Sequence, residues 1–230
     1  MPDTLIILIK SLALILGALL PIVNPLGAMP IFLLATSGAT ESTRYFLAQR
    51  VAIFSAVLLL GAMFVGSYVL AYFGISTDTV RLAGGALVMS FGWKMLQSDD
   101  KVDDSGATPA DWSRPVAAQR AFYPLTFPLT VGPGSIAVAL TLGASLSQPA
   151  SGVVRWLAPV GAIFGVFLTA GAIYICYRFA DKMLQVLGKT GTAVMLRLMA
   201  FVLFCIGIEI FLGGVAELLQ TWQRSGLMRK

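Results

Sequence analysis

Apolar runs separated by short polar stretches recur six times along the chain, near 5–23, 48–73, 79–97, 122–145, 154–178 and 194–218. A helix needs about 20 residues to cross a hydrocarbon core about 30 Å thick. Each run therefore reads as one transmembrane helix, and the fold class is all-α and polytopic. Two runs are interrupted: Asn24-Pro25-Leu26-Gly27 follows the first, and Gly132-Pro133-Gly134-Ser135 lies inside the fourth. Proline removes a helical N–H and glycine lets the chain turn, so each interruption leaves unpaired backbone groups at membrane depth. Such groups are tolerated where they line a polar cavity or pack on protein. Met29 to Ala35 is too short to cross alone and reads as a half-helix or re-entrant segment.

Between the third and fourth runs lies the longest connection, 98–120, with Asp99, Asp100, Asp103, Asp104 and Asp111 beside Pro109 and Pro115. That composition cannot build a core, so it is read as an acidic linker between residues 1–97 and 121–230. The pattern repeats on either side of it: a broken first helix, a glycine-bearing second, and a third opening with Arg-Leu, at Arg81-Leu82 and Arg197-Leu198. Three spans per half is an odd number, so the second copy enters from the opposite side. The expected architecture is a 3+3 inverted repeat with two broken or re-entrant helices.

Composition agrees with a membrane protein: 57% of residues are hydrophobic and 12% charged, with a mean hydropathy of +0.85. The net charge of +5 is scattered through short loops and forms no basic stripe, which argues against nucleic acid. Counting Lys and Arg on alternate sides puts Arg44, Arg50, Lys101, Arg114, Arg120, Arg178, Lys182 and Lys189 on one face, which the positive-inside rule makes cytoplasmic. Both termini are then expected outside, in the periplasm. No basic n-region or small-residue cleavage site precedes Pro25, so the first helix is expected to stay. Cys176 and Cys205 have no metal or redox spacing. Histidine is absent, which removes the commonest general base and metal ligand. No enzyme activity, metal or cofactor is expected.

The interruptions carry the candidate chemistry. A half-helix starting at each proline points its positive end and free N–H groups at the break, which suits a carboxylate. Carbonyls left by the preceding segment suit an ammonium. Asn24 offers both a donor and an acceptor, while Thr126, Thr130 and Ser135 supply hydroxyls. With Pro25, Gly27, Gly132, Pro133 and Gly134 they form the candidate substrate site, able to hold a small zwitterion without an ionised side chain. The alternative is that proline and glycine only kink helices for packing. Charges within the spans are a second set. Glu209 and Lys10 reach similar depth, and either form an ion pair or make Glu209 a proton or cation acceptor. Arg81 and Arg197 either bond the broken segments or anchor in headgroups. Lys94, near a helix end, reads as snorkelling to the interface. Gly161 and Gly165, and the doublets Gly84-Gly85 and Gly213-Gly214, read as close helix contacts.

The run Asn24-Pro25-Leu26-Gly27-Ala28-Met29-Pro30-Ile31-Phe32 resembles the MarC family of bacterial inner-membrane proteins, also called the small neutral amino acid transporter family. Phe73-Gly74-Ile75-Ser76 leading to Arg81-Leu82-Ala83-Gly84-Gly85 supports this. So do Pro124-Leu125-Thr126-Phe127-Pro128-Leu129 running into Gly132-Pro133-Gly134-Ser135-Ile136, and Arg197-Leu198-Met199. The resemblance covers nearly the whole chain. It implies six transmembrane helices in the bacterial inner membrane and, for some relatives, uptake of glycine or alanine. The expected function is therefore secondary transport of a small neutral amino acid or similar zwitterion, with H+ or Na+ as candidate coupling ions. Expected partners are the solute and membrane lipids, with self-association left open. A small-solute channel, a membrane enzyme gripping a lipid-linked phosphate and a purely structural module are the alternatives.

Overall fold

The computed structural model describes residues 2–97, 112–146 and 154–224, which are helical apart from short connections. The first half contains α1 (Pro2–Val23), α2 (Pro25–Ala35), α3 (Glu41–Tyr72) and α4 (Thr77–Gln97). The second contains α5 (Arg114–Arg120), a wide-turned segment Ala121–Thr130, α6 (Pro133–Leu146), α7 (Val154–Arg178) and α8 (Ala180–Arg224). The acidic part of the expected linker, 98–111, lies outside the described residues. Local chemistry explains several boundaries. Thr40 caps α3 by accepting from the Thr43 N–H at 3.3 Å, and Glu41 in the first turn favours the positive end of the helix. Gly188, at φ 66° and ψ 179°, kinks α8 near its start.

Two helical bodies pack with little side-chain bulk between them. On α4 and α8, a Cβ added to Gly85 would lie 2.4 Å from the Phe211 nitrogen, and one on Gly207 would lie 2.4 Å from the Met89 nitrogen. Gly92 meets Phe204 and Gly214 meets Leu82 in the same way. As numbering rises on α4 it falls on α8, so the helices run antiparallel. Along α7, Gly161 faces Ser11 and Gly165 faces Ile15, so α7 runs parallel to α1. α3 packs on α6 and α7, α4 also touches α6, and α2 touches α7 and α8. Phe32, Leu47, Leu59, Met63 and Tyr177 are fully buried in the centre. Val57, Tyr68, Phe164, Phe167 and Phe201 are exposed, which suits an outer surface solvated by lipid tails.

Among the described residues four helical stretches are long and apolar enough to cross a membrane: Ile6–Leu33, Glu41–Gly66, Leu157–Arg178 and Thr190–Thr221. The pair Arg114–Thr130 and Pro133–Ala144, bent by 74°, adds a fifth when counted as one span. The expected six become four or five on this measure. α4 has 21 residues, ample length, but Asp78, Arg81 and Lys94 dilute its apolar character. The two interruptions also differ. The second bends the chain, whereas the first is a one-residue break within the single span Ile6–Leu33. The last helix is longer than the expected 194–218, because the polar stretch from Asp181 to Thr192 is helical too.

The basic residues of the connections gather at one end. Arg44 pairs with Asp181 at 2.8 Å, Arg50 and Arg114 lie over Phe46, Arg120 over Trp112 and Arg178 over Tyr45. At the opposite end Arg81 pairs with Glu217, and Thr221 donates to Asp78 at 3.3 Å.

Candidate functional site

The first interruption is built on one residue. Asn24 has φ 46°, the left-handed region that asparagine tolerates better than most side chains. Its backbone belongs to both helices: its N–H donates to Leu20 O at 2.9 Å and its carbonyl accepts from Ala28 at 3.0 Å. Its side-chain Oδ1 accepts from the Gly27 N–H at 3.1 Å, capping α2 where Pro25 has no N–H to offer. Gly27 is required for this, since a Cβ there would fall 2.4 Å from Asn24 Nδ2. The cap uses Oδ1 and leaves the Nδ2 amide hydrogens for a ligand.

The second interruption is preceded by a tandem tetrad, Tyr123-Pro124-Leu125-Thr126 and Phe127-Pro128-Leu129-Thr130. In each unit the aromatic residue is extended, with Tyr123 at φ −121° and Phe127 at φ −113°, and the bond to proline is cis. In each unit the threonine hydroxyl donates to a carbonyl five residues back: Thr126 to Ala121 at 2.6 Å and Thr130 to Leu125 at 2.7 Å. The prolines remove backbone donors and the hydroxyls supply replacements, as buried backbone requires. Gly132 then turns the chain into α6, where its carbonyl accepts from Ile136 at 3.1 Å and from the Ser135 hydroxyl at 2.9 Å.

A buried tyrosine joins the two. The Tyr177 ring stacks on Phe32 of α2, centroids 4.3 Å apart and planes 16° apart, and its hydroxyl lies 2.8 Å from Thr130 Oγ1. Thr130 spends its only proton on Leu125, so Tyr177 is the donor.

Both interruptions open onto one cavity of about 300 Å³. Asn24 and Gly27 line it from the first side, and Thr130, Gly132, Pro133, Gly134 and Ser135 from the second. The structure thus brings together seven of the nine expected site residues. Pro25 is buried at the start of α2, and Thr126 is turned inward onto Ala121; neither lines the cavity. The expected charges lie elsewhere. Lys10 and Glu209 are both exposed and form no ion pair with each other among the described residues. Arg81 pairs with Glu217 rather than with a broken segment, and Arg197 is exposed on α8. The cavity adds a wall the sequence reading discounted: Leu87, Ser90, Phe91 and Lys94 of α4, with Leu203 of α8. Their spacing of three and four places them on one helical face, a signal Lys94's position near the helix end obscured. Lys94 borders the cavity while remaining exposed near the end of α4.

These features define a polytopic α-helical membrane protein with an open cavity between two interrupted segments. The model of the MarC family integral membrane proteins matches residues 9–219. The UPF0056 inner membrane protein MarC of Escherichia coli (strain K12) is 31% identical over 220 residues, covering 94% of this chain and 98% of the relative. Its counterpart in Escherichia coli O1:K1 / APEC is 29% identical over 218 residues with the same coverage. No solved structure matches the chain. The chain belongs to the MarC family.

Proposed function

We propose that this protein is a secondary transporter of the bacterial inner membrane, moving a small carboxylate-bearing solute by alternating access. Small neutral amino acids and similar zwitterions are the first class to test. The observation that carries this reading is the convergence of Asn24 and Gly27 with Thr130 and Gly132–Ser135 on one cavity. Broken helices meeting at a central site are how many secondary transporters bind their solutes. The half-helix ends would meet the carboxylate, with the Asn24 amide as a further donor. Among the described residues the ionisable lining is a lysine, with no carboxylate or thiol, which favours binding over catalysis.

We take α4 as a sixth span and the chain as an inverted repeat, 1–97 against 121–230, joined by 98–120. Neighbours support this: α4 packs on α8 and α3 on α7, pairs that map onto themselves when the halves are exchanged. α2 on α8 and α6 on α4 likewise map onto each other. The basic-aromatic end is taken as cytoplasmic, with the termini outside. Rocking of one half against the other would alternate exposure, driven by a proton or sodium gradient.

The test is counterflow of radiolabelled glycine and alanine in proteoliposomes, with and without each gradient. Saturable exchange is expected. Flux that neither saturates nor counter-exchanges would instead indicate a channel.

A further inference from the structure

The walls of the cavity say more about the solute than the interruptions do. Apart from the polar groups at its two ends, the lining is aliphatic and aromatic: Ile22, Ile31, Leu87, Phe91, Leu129 and Leu203. Among the described residues Lys94 is the one ionisable side chain on it, and the exposed Lys94 makes no ion pair there. Among the described residues no acidic side chain lines the cavity to hold an ammonium. Beside Lys94, the side-chain donor still available at the interruptions is the Asn24 Nδ2 amide, while the Thr130 and Ser135 hydroxyls present acceptor lone pairs. The Asn24 amide has its acceptor oxygen engaged, and the protons of Thr130 and Ser135 are committed to carbonyls. A volume of about 300 Å³ is at the lower end of pockets that enclose small organic ligands and exceeds what glycine needs.

We infer that the solute is an organic anion with an apolar body of several carbons, whose acidic head is held by Lys94 while its body lies between α2, α4 and α8. The inference rests on the transport reading for the cavity and specifies its ligand. A solute of this class needs no ammonium, and Lys94 sets its selectivity. The occupant assigned is a soluble acid, and a phospholipid headgroup on the same lysine is the competing outcome of the titration.

The test uses the whole protein in phosphatidylcholine nanodiscs and the permanently charged probe 1-butanesulfonate, with 1-butanol and alanine as controls, read by calorimetric titration. Saturable binding of the sulfonate, tighter than either control, is expected. Lys94→Gln should weaken it about tenfold or more, the loss of one charge-assisted hydrogen bond. Lys94→Arg should keep it within about threefold, and Lys182→Gln, outside the cavity, should leave it unchanged. Alanine binding as well as the sulfonate, no response to Lys94→Gln, or no saturable sulfonate binding would each overturn the assignment. Competition by phosphatidylglycerol added to the discs would overturn it in favour of a lipid headgroup. Counterflow of labelled alanine and labelled butanesulfonate in proteoliposomes of the same protein separates the two levels: exchange of alanine with no anion binding leaves a transporter whose ligand class is misassigned, whereas anion binding with exchange of neither solute removes the transport reading.

Discussion

Tyr177 donates its hydroxyl to Thr130 across 2.8 Å while its ring lies on Phe32, so one residue of α7 spans both interruptions. This sets how the site is held. Thr130 sits at the turn into α6 and Phe32 on α2, so Tyr177 fixes the distance between them. Tyr177→Phe keeps the stack and removes one hydrogen bond, and is expected to cost about 1 kcal/mol. Tyr177→Ala leaves a cavity in a fully buried place and is expected to cost about 3–5 kcal/mol. Thermal unfolding in detergent of both variants checks the difference, and equal losses would contradict the stacked arrangement.

Asn24 performs two tasks that substitution can separate. Asn24→Gly keeps the left-handed backbone and loses the cap and the free amide; its stability cost is expected to be a few tenths of a kcal/mol. Asn24→Ala also pays about 1–2 kcal/mol for left-handed alanine. Both should lose solute exchange, while only the second should unfold earlier. Exchange retained by Asn24→Gly would remove the amide from the site.

Gly134 lies where α6 meets α4, and a Cβ there would fall 2.0 Å from Val88 Cγ2. Valine is stiff at χ1 and cannot swing away cheaply. Gly134→Ala is expected to destabilise by about 1–3 kcal/mol. Val88→Ala in the same chain should recover most of it, a coupling that a double-mutant cycle measures directly.

Charges away from the cavity are expected to be dispensable for exchange. Glu209→Gln and Arg81→Gln should each leave counterflow within about twofold of the parent. The Arg81–Glu217 pair is partly exposed and should contribute no more than about 1 kcal/mol. A collapse of gradient-driven uptake in Glu209→Gln would restore that carboxylate as the coupling group.

The interruptions were legible because proline and glycine act locally, and Asn24 could be singled out as the polar residue ahead of Pro25. That they would face one another was not legible, since convergence depends on how α2, α4 and α6 pack. That Lys94 borders the cavity was hidden for the same reason: it stands exposed near a helix end, and its place on the lining depends on how α4 packs against α6. The tandem tetrad stood in plain view, but its Thr hydroxyls acquire meaning only once the prolines are seen to have removed donors. The proposed pairing of Lys10 with Glu209 followed from depth alone, and depth does not determine which side of a helix a residue occupies. α8 begins before the apolar run at 194 because helix propensity tolerates the charged residues Asp181, Lys182 and Lys189, with Gly188 kinking the join.

The glycine seam between α4 and α8 joins the first half of the chain to the second through backbone-close contact along four successive positions. Each half is thereby the other's wall, and neither has an interior it could keep alone. Two fragments expressed together and split between residues 97 and 112 would find each other in the bilayer and purify as one body, and either fragment alone would present an unfilled groove to lipid.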